Sequence, residues 1–239
     1  MGNHFFNFKQ FTVYQDQCAM KVCTDACLFG SWVTNYIADN YLSAILDIGA
    51  GTGLLSLMIA QQSVHSIEAI EIEAAAAHQA TNNFNQSPWS NQLKLIHGDV
   101  QDLFLKKEIQ YDFIISNPPF FEHDLPSNNS NKNLALHSKA LTLKELINSI
   151  ENLLSSTGEF AILIPYVRFE YLVEIAQSKG YHLKKVTHVK QTTHHSFFRS
   201  MLIFSRKACL PEINEMSIKE NNMYSTEFRQ LLSSYYLQF

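Results

Sequence analysis

A short apolar run, Ala44 to Ile48, leads into Gly49-Ala-Gly-Thr-Gly53 and then into the pattern Leu54, Leu55, Leu57, Met58, Ile59; no other stretch constrains the fold as strongly. The run has the length of a buried strand, and the apolar spacing after it is helical. Glycines at alternate positions let the connecting backbone come close to a ligand at a helix N-terminus. A nicotinamide-binding turn spaces its glycines G-x-G-x-x-G. Here the spacing is G-x-G-x-G preceded by Asp47, which disfavours a nicotinamide dehydrogenase.

Further strands are expected at 67–72, 93–97, 111–116 and 159–164, separated by helical stretches, the pattern of right-handed βαβ units in a parallel sheet. A helix is expected over Ala26 to Ala38, and Leu143, Leu146, Ile147, Ile150, Leu153 and Leu154 follow core-helix spacing. Two final strands, about Leu183 to Lys190 and Ser200 to Arg206, complete the sheet, and Tyr224 to Tyr236 reads as a terminal helix. Glu71 lies 20 residues beyond Gly51, the offset of a ribose-hydroxyl acceptor. Asp99 follows the third strand. Loop, Glu71 and Asp99 each sit at a strand's carboxyl end, where open α/β sheets bind ligands.

The fourth strand ends in Asn117-Pro118-Pro119-Phe120. Prolines cannot donate to a sheet, so the strand stops there, and Asn117 is held out of the α region by the proline after it. A rigid pair of acceptors beside an aromatic ring suits a planar group bearing an NH2, such as adenine, whose amine donates twice while its ring stacks on Phe120. The polar stretch Glu122 to Lys132 reads as an exposed loop and a substrate lid.

The chain has 239 residues, 46% of them apolar, enough for a full core. No signal peptide or spanning segment is evident in the sequence, so a cytoplasmic protein with reduced Cys18, Cys23, Cys27 and Cys209 is expected. The cysteine spacing C-x4-C-x3-C matches no zinc pair, and no metal is expected. Net charge is −4, yet Pro165 to Lys207 carries eight Lys/Arg against two Glu, leaving −10 for the rest. That asymmetry is either a phosphate-facing surface or a solvated face.

Asp47-Ile-Gly-Ala-Gly-Thr-Gly53 with Glu71 resembles the S-adenosylmethionine loop of class I methyltransferases, and Asn117-Pro-Pro-Phe120 resembles the amino-methyltransferase motif [N/D/S]-P-P-[Y/F]. Phe8-Lys-Gln-Phe11, Cys18-Ala-Met-Lys-Val22, Thr24-Asp25, Asn85-Gln-Ser-Pro-Trp89, Tyr224-Ser and Tyr235-Tyr-Leu237 are similar to the bacterial tRNA(Val) adenine-N6 methyltransferase family, which modifies adenosine 37. The resemblance covers nearly the whole chain. Departures are Cys23 and Cys27 where relatives carry Gly, Phe120 where they carry Tyr, and Leu136 where they carry Arg.

The resemblance implies an α/β, Rossmann-like class I methyltransferase with a seven-stranded mostly parallel sheet and helices on both faces. It implies one domain over 1–239: an extension (1–40) that forms part of the cofactor site, a core (41–207), and a tail with a helix (208–239). The cofactor S-adenosylmethionine would be held by Lys21, Thr24, Asp47, Gly49, Gly51, Gly53, Glu71, Asp99 and Asn117. Glu71 would take the ribose hydroxyls, Asp99 the adenine, and Thr24 would lie near the methionine carboxylate; Thr24 and Asp25 are also candidates for a helix N-cap. Catalysis falls to Asn117, Pro118, Pro119 and Phe120, and the partner is the anticodon loop of a valine tRNA met by a monomer away from any membrane. Rival readings are a DNA adenine-N6, rRNA guanine-N2 or protein glutamine-N5 methyltransferase, and a non-catalytic RNA-binding module.

Overall fold

The computed structural model describes residues 3–40, 42–106, 110–119 and 141–238. A nine-stranded sheet runs in the order β11-β10-β8-β9-β7-β6-β3-β4-β5. Its strands are β3 (Ala44–Ile48), β4 (Ser66–Glu71), β5 (Leu93–His97), β6 (Tyr111–Ser116), β7 (Leu154–Pro165), β8 (His182–Thr192), β9 (Phe197–Ser205), β10 (Glu212–Glu220) and β11 (Met223–Tyr224). β5, β4, β3, β6 and β7 pair in parallel, while β9 enters antiparallel between β7 and β8. A small hairpin, β1 (Phe5–Asn7) with β2 (Thr12–Tyr14), precedes the sheet.

Seven strands were expected, and β3 to β9 supply them. The correction lies in the tail: residues 212–220 form β10, parallel to β8, and turn back through Asn221 and Asn222 into β11. Both asparagines have positive φ (49° and 63°), the backbone of a two-residue hairpin turn. Only Met216 and Ile218 of β10 are buried in alternation, and Ile213 is exposed, so the periodic signal is too short to separate an edge strand from a tail.

Period-two alternation sends the inner strands' side chains to two cores. Ile45, Ile67, Phe113, Ile115, Ala161, Leu163, Met201 and Ile203 join one cluster with the helices α1 (Thr24–Ile37), α2 (Leu54–Gln62) and α7 (Thr226–Leu232). Phe84 of α3 (Ala74–Asn85) joins it too. Leu46, Ile48, Ile70, Ile114, Phe160, Ile162, Leu202 and Phe204 join the other with α4 (Val100–Lys106), α5 (Leu143–Leu153) and α6 (Phe169–Ser178). Helices therefore cover both faces, as expected. α5 begins with a capping box in which the Thr142 hydroxyl accepts from the Glu145 amide and the Glu145 carboxylate accepts from the Thr142 amide.

The two ends of the chain meet on the first core. The Lys9 amide donates to the Tyr235 carbonyl (2.8 Å), the Tyr235 hydroxyl donates to the Met58 carbonyl (3.0 Å), and Phe6 and Phe8 lie against the Tyr236 ring. Among the described residues no helix is long and apolar enough to cross a membrane.

Candidate active site

One rung of the sheet organises the site. Ile96, Ile70, Ile48, Ser116 and Ile162 are paired across β5, β4, β3, β6 and β7. On the next position of three adjacent strands stand Glu71, Gly49 and Asn117, and Asp99 lies two residues beyond β5. Candidates far apart in sequence thus share one carboxyl edge, spanning roughly 14 Å at ordinary strand spacing. Cross-bonds hold that edge: the Gly49 and Ala50 amides donate to the Ile70 carbonyl (2.9 and 3.1 Å), the Ser116 hydroxyl to the Ile48 carbonyl (2.8 Å), and the Gly98 amide to the Glu71 carbonyl (3.0 Å).

Gly49, Gly51 and Gly53 all have positive φ (74°, 55° and 81°), a region other residues enter only with strain. Their surroundings differ. A Cβ on Gly53 would stand 2.4 Å from the Phe84 ring, whereas a Cβ on Gly49 or Gly51 would meet nothing within 4 Å. Gly53 is therefore needed for packing, and the other two keep an open surface in front of the loop. Gly53 also caps α2 without a side-chain hydrogen bond.

Glu71 is 9% exposed and accepts from the Gly51 amide through Oε2 (2.8 Å) and from the Glu73 amide through Oε1 (2.9 Å). Each oxygen keeps a lone pair for a ligand hydroxyl. Asp99 accepts from the Gln101 amide through Oδ1 (2.9 Å), which gives it a turn-forming role at the start of α4.

Two buried polar atoms on or beneath this edge have no hydrogen-bond partner, Oδ1 of Asp47 and Oδ1 of Asn117. The Ser56 hydroxyl donates to Asp47 Oδ2 (2.7 Å), but complete burial pushes the Asp47 carboxyl up to about 7, helped by the Glu71 charge and opposed by the Ser56 bonds. Asn117 is half-buried and Pro118 buried. An acceptor shielded from water without a donor costs about 1–3 kcal/mol, so Asn117 Oδ1 is poised to take one from a ligand.

The N-terminal segment lies against the loop. Asn83 on α3 accepts from the Tyr14 amide (3.0 Å) and donates to the carbonyls of Tyr14 (2.9 Å) and Thr52 (2.8 Å), joining arm to glycine loop. Burial, followed by the charges of Glu71, Glu73 and Asp16, pushes the Cys18 thiol up to about 12. Neither candidate cap is used at the start of α1: Cys23 is the N-cap, without a side-chain bond, because Asp25 is engaged by Arg199 (Nε to Oδ2, 2.7 Å) and Thr24 already lies in the first turn. Lys21 donates to the Asn3 carbonyl (3.2 Å), and Thr24 is exposed with its hydroxyl beside that of Tyr236. The structure gives neither a contact with the glycine loop. Phe120, the loop 122–132 and Leu136 lie outside the described residues.

The basic segment is largely matched by acids folded against it. Lys179 pairs with Glu151, Lys184 with Glu159, Lys185 with Glu212, Lys190 with Glu215 and Arg199 with Asp25, at 2.6–3.0 Å. Lys184 and Lys185 also stand near the start of β8, at the sheet end opposite the glycine loop. Asn83 and the acids Glu151, Glu159, Glu212 and Glu215 were not singled out by sequence reasoning, which read Arg199 only as part of the basic segment and Asp25 only as a candidate cap. Nothing in residue spacing identifies partners that lie 25 to 174 residues away. Among the described residues no group of three or more His, Cys, Asp or Glu is placed to hold a metal.

The profile of the methyltransferase small domain family matches residues 32–192. A protein of Dyadobacter fermentans named tRNA1(Val) (adenine(37)-N6)-methyltransferase is 43% identical over 99% of both chains. Proteins of the same name from Flavobacterium psychrophilum and Proteus mirabilis are 40% and 35% identical, each over 98% of this chain and 99% and 94% of their own. A predicted O-methyltransferase from Agrobacterium tumefaciens shares the fold with TM-score 0.67 at 14% identity, over 88% of this chain and 96% of its own. A putative RNA methyltransferase from Pyrococcus horikoshii does so with TM-score 0.54 at 17% identity, over 84% and 92%. With a glycine loop, an acidic strand end and an Asn-Pro-Pro exit on one sheet edge, and full-length relatives at this identity, the chain belongs to the tRNA1(Val) (adenine(37)-N6)-methyltransferase family of class I methyltransferases.

Proposed function

We propose that the chain transfers a methyl group from S-adenosylmethionine to N6 of adenosine 37 in a valine tRNA, as a monomer in the cytoplasm. The observation that carries the reading is Asn117 Oδ1, a shielded acceptor without a donor one strand from the open glycine loop. The names of the full-length relatives support the substrate. That Asp99, Glu71, Gly49 and Asn117 all come from one sheet edge of one chain supports the monomer.

The residues present fit S-adenosylmethionine. Gly49 and Gly51 turn bare backbone toward open space, and Glu71 retains acceptor capacity for the ribose hydroxyls. Gly53 seats α2 against α3, and Asp47 anchors the loop from beneath through Ser56. Asp99 takes the adenine, and Lys21, just before α1, and Thr24, in its first turn, complete the site at the methionine end. When bound, S-adenosylmethionine supplies an electrophilic sulfonium methyl.

The chain's own residues act on the amine. An exocyclic adenine nitrogen is a poor nucleophile because its lone pair is delocalised into the ring. Asn117 Oδ1 and the Pro118 carbonyl accept hydrogen bonds from its two N–H groups and favour the pyramidal geometry of the transition state, while Pro119 fixes the turn. Phe120 offers a face on which the base stacks. Transfer then needs positioning more than an acid or a base, and the amine's surplus proton leaves to water.

Incubating the purified chain with isotopically methyl-labelled S-adenosylmethionine and unmodified valine tRNA tests the reading. Nucleoside mass spectrometry should find label in N6-methyladenosine at position 37; label only in guanine or in protein glutamine overturns the substrate.

A further inference from the structure

β7 ends at the same sheet edge as Asn117, one strand over: Ile162 pairs with Ser116, and Tyr166 and Val167 follow directly after Pro165. β9 and β8 bring more rings to this corner, since Pro165 pairs with Arg199, Arg199 with Val189, and Phe197 with Lys190. The Tyr166 ring lies 5.0 Å from those of Phe197 and His188, and His188 also meets Phe169 edge-on at 4.9 Å. The Lys190 ammonium stands 4.2 Å from the Phe197 ring centre.

Part of the cluster is core and part is not. His188 is buried, and its Nδ1 meets the Ser200 hydroxyl at 2.9 Å. Burial holds its imidazole below the usual range against the pull of Glu215, so near neutral pH it is an uncharged ring supporting the others. Tyr166, by contrast, is 37% exposed, and Val167, beside it, is 79% exposed. A water-facing Tyr166 ring beside the half-buried Phe197, which carries the Lys190 ammonium over its ring, all on a buried aromatic base, is the composition of a nucleobase stacking platform.

We infer that Tyr166 and Phe197, flanked by Val167, form a shelf on which an unpaired base next to the methylated adenosine stacks while that adenosine enters at Asn117. The inference rests on the methyl-transfer reading for the identity of the RNA, and on the shared sheet edge for the distance. A target base swung out of an anticodon loop leaves its neighbours unstacked, and a second aromatic face holds one of them. Because any base has a π-face, the shelf contributes affinity and register without choosing sequence.

The test is fluorescence anisotropy with a labelled, unmodified valine anticodon stem-loop, alongside single-turnover methylation of the full tRNA. Tyr166→Ala and Phe197→Ala should each raise the stem-loop Kd by roughly 10-fold, with cofactor affinity and the saturating transfer rate near wild type. Tyr166→Phe should bind like wild type, because the ring face is what matters. Val167→Asp, at a site exposed enough to leave the fold intact, should also weaken binding by setting a carboxylate beside the RNA backbone.

Unchanged Kd in both alanine variants, or Tyr166→Phe as weak as Tyr166→Ala, overturns the shelf. So does an altered oligomeric state with unaltered RNA affinity, which would mark the patch as a protein interface. If the wild-type chain binds the stem-loop through these rings but leaves adenine N6 unmodified, the methyl-transfer reading falls and the shelf stands.

Discussion

The two halves of the sheet handle polar groups in opposite ways. In the β3 to β6 half, the carboxyl edge carries acceptors that folding leaves incompletely satisfied, namely Asp47 Oδ1 and Asn117 Oδ1, with Glu71 engaged only by backbone amides. In the β8 to β10 half the charges are abundant but matched, as with Lys184 and Glu159, Lys185 and Glu212, or Lys190 and Glu215. Binding capacity lies where polar groups lack partners. A charge tally along the sequence finds the second half and says little about the first.

The largest effect expected from this contrast is pH-dependent. Asp47 titrates at about 7 in the folded chain against 3.8 in the reference state, so between those values the native state holds a proton that the unfolded state has released. Stability from this group is full below the unfolded value and is lost as pH rises through the folded one. The difference amounts to up to about 4 kcal/mol between pH 4 and 7. Asp47→Asn keeps a partner for Ser56 and removes the titration, so its stability relative to wild type should rise across that window in urea melts. A constant difference would mean that Asp47 is solvated or paired.

Next in size is Asn117→Ala. Loss of an acceptor used mainly in the transition state should lower single-turnover methylation by about 100-fold or more, with cofactor affinity little changed. Wild-type-like transfer would remove Asn117 from the chemistry and leave its unpartnered oxygen without a purpose. Glu71→Ala should act on the complementary quantity, weakening S-adenosylmethionine binding by about 1.5–3 kcal/mol in calorimetry, because a charged acceptor for hydroxyls is lost. The two glycine sites sharpen the comparison further. Gly53→Ala should destabilise the fold by about 1–3 kcal/mol, since its Cβ meets Phe84 as well as a positive φ. Gly49→Ala should affect cofactor binding more than thermal stability.

The same contrast governs what was legible in the sequence. β3, β4, β5 and β6 were readable to within a residue, because each is a short apolar run whose end is marked by glycine, acid or proline; β3, β4 and β6 are largely buried as well, whereas β5 is itself an edge strand. The sheet edge that carries the candidates was readable for the same reason, as each candidate ends or closely follows an apolar run. β10 and β11 were not, because only Met216 and Ile218 of β10 are buried, too few for a periodic signal, and the turn after it is Asn221-Asn222 without glycine. The Cys23 cap was missed because the Arg199 bond to Asp25 is a tertiary contact, and the charge matching was missed because every pair joins residues distant in sequence.

The smallest effect concerns the basic segment itself. Counted along the chain, Lys184 and Lys185 belong to a run with an excess of six positive charges, and their removal would be expected to flatten the salt dependence of RNA binding. In the fold, Lys184 bonds the Glu159 carboxylate at 2.6 Å, Lys185 bonds Glu212 at 3.0 Å, and both stand near the start of β8, away from the glycine loop. A cation already matched by a carboxylate releases no counterion from an approaching phosphate. The double variant Lys184→Gln and Lys185→Gln should therefore leave the slope of log Kd against log salt unchanged. It should cost about 0–1 kcal/mol of stability, as partly exposed ion pairs do. A slope shallower by about one or more phosphate contacts would mean that the RNA reaches round to the far end of β8 and breaks these pairs on binding, and the matched half of the sheet would then count as part of the binding surface.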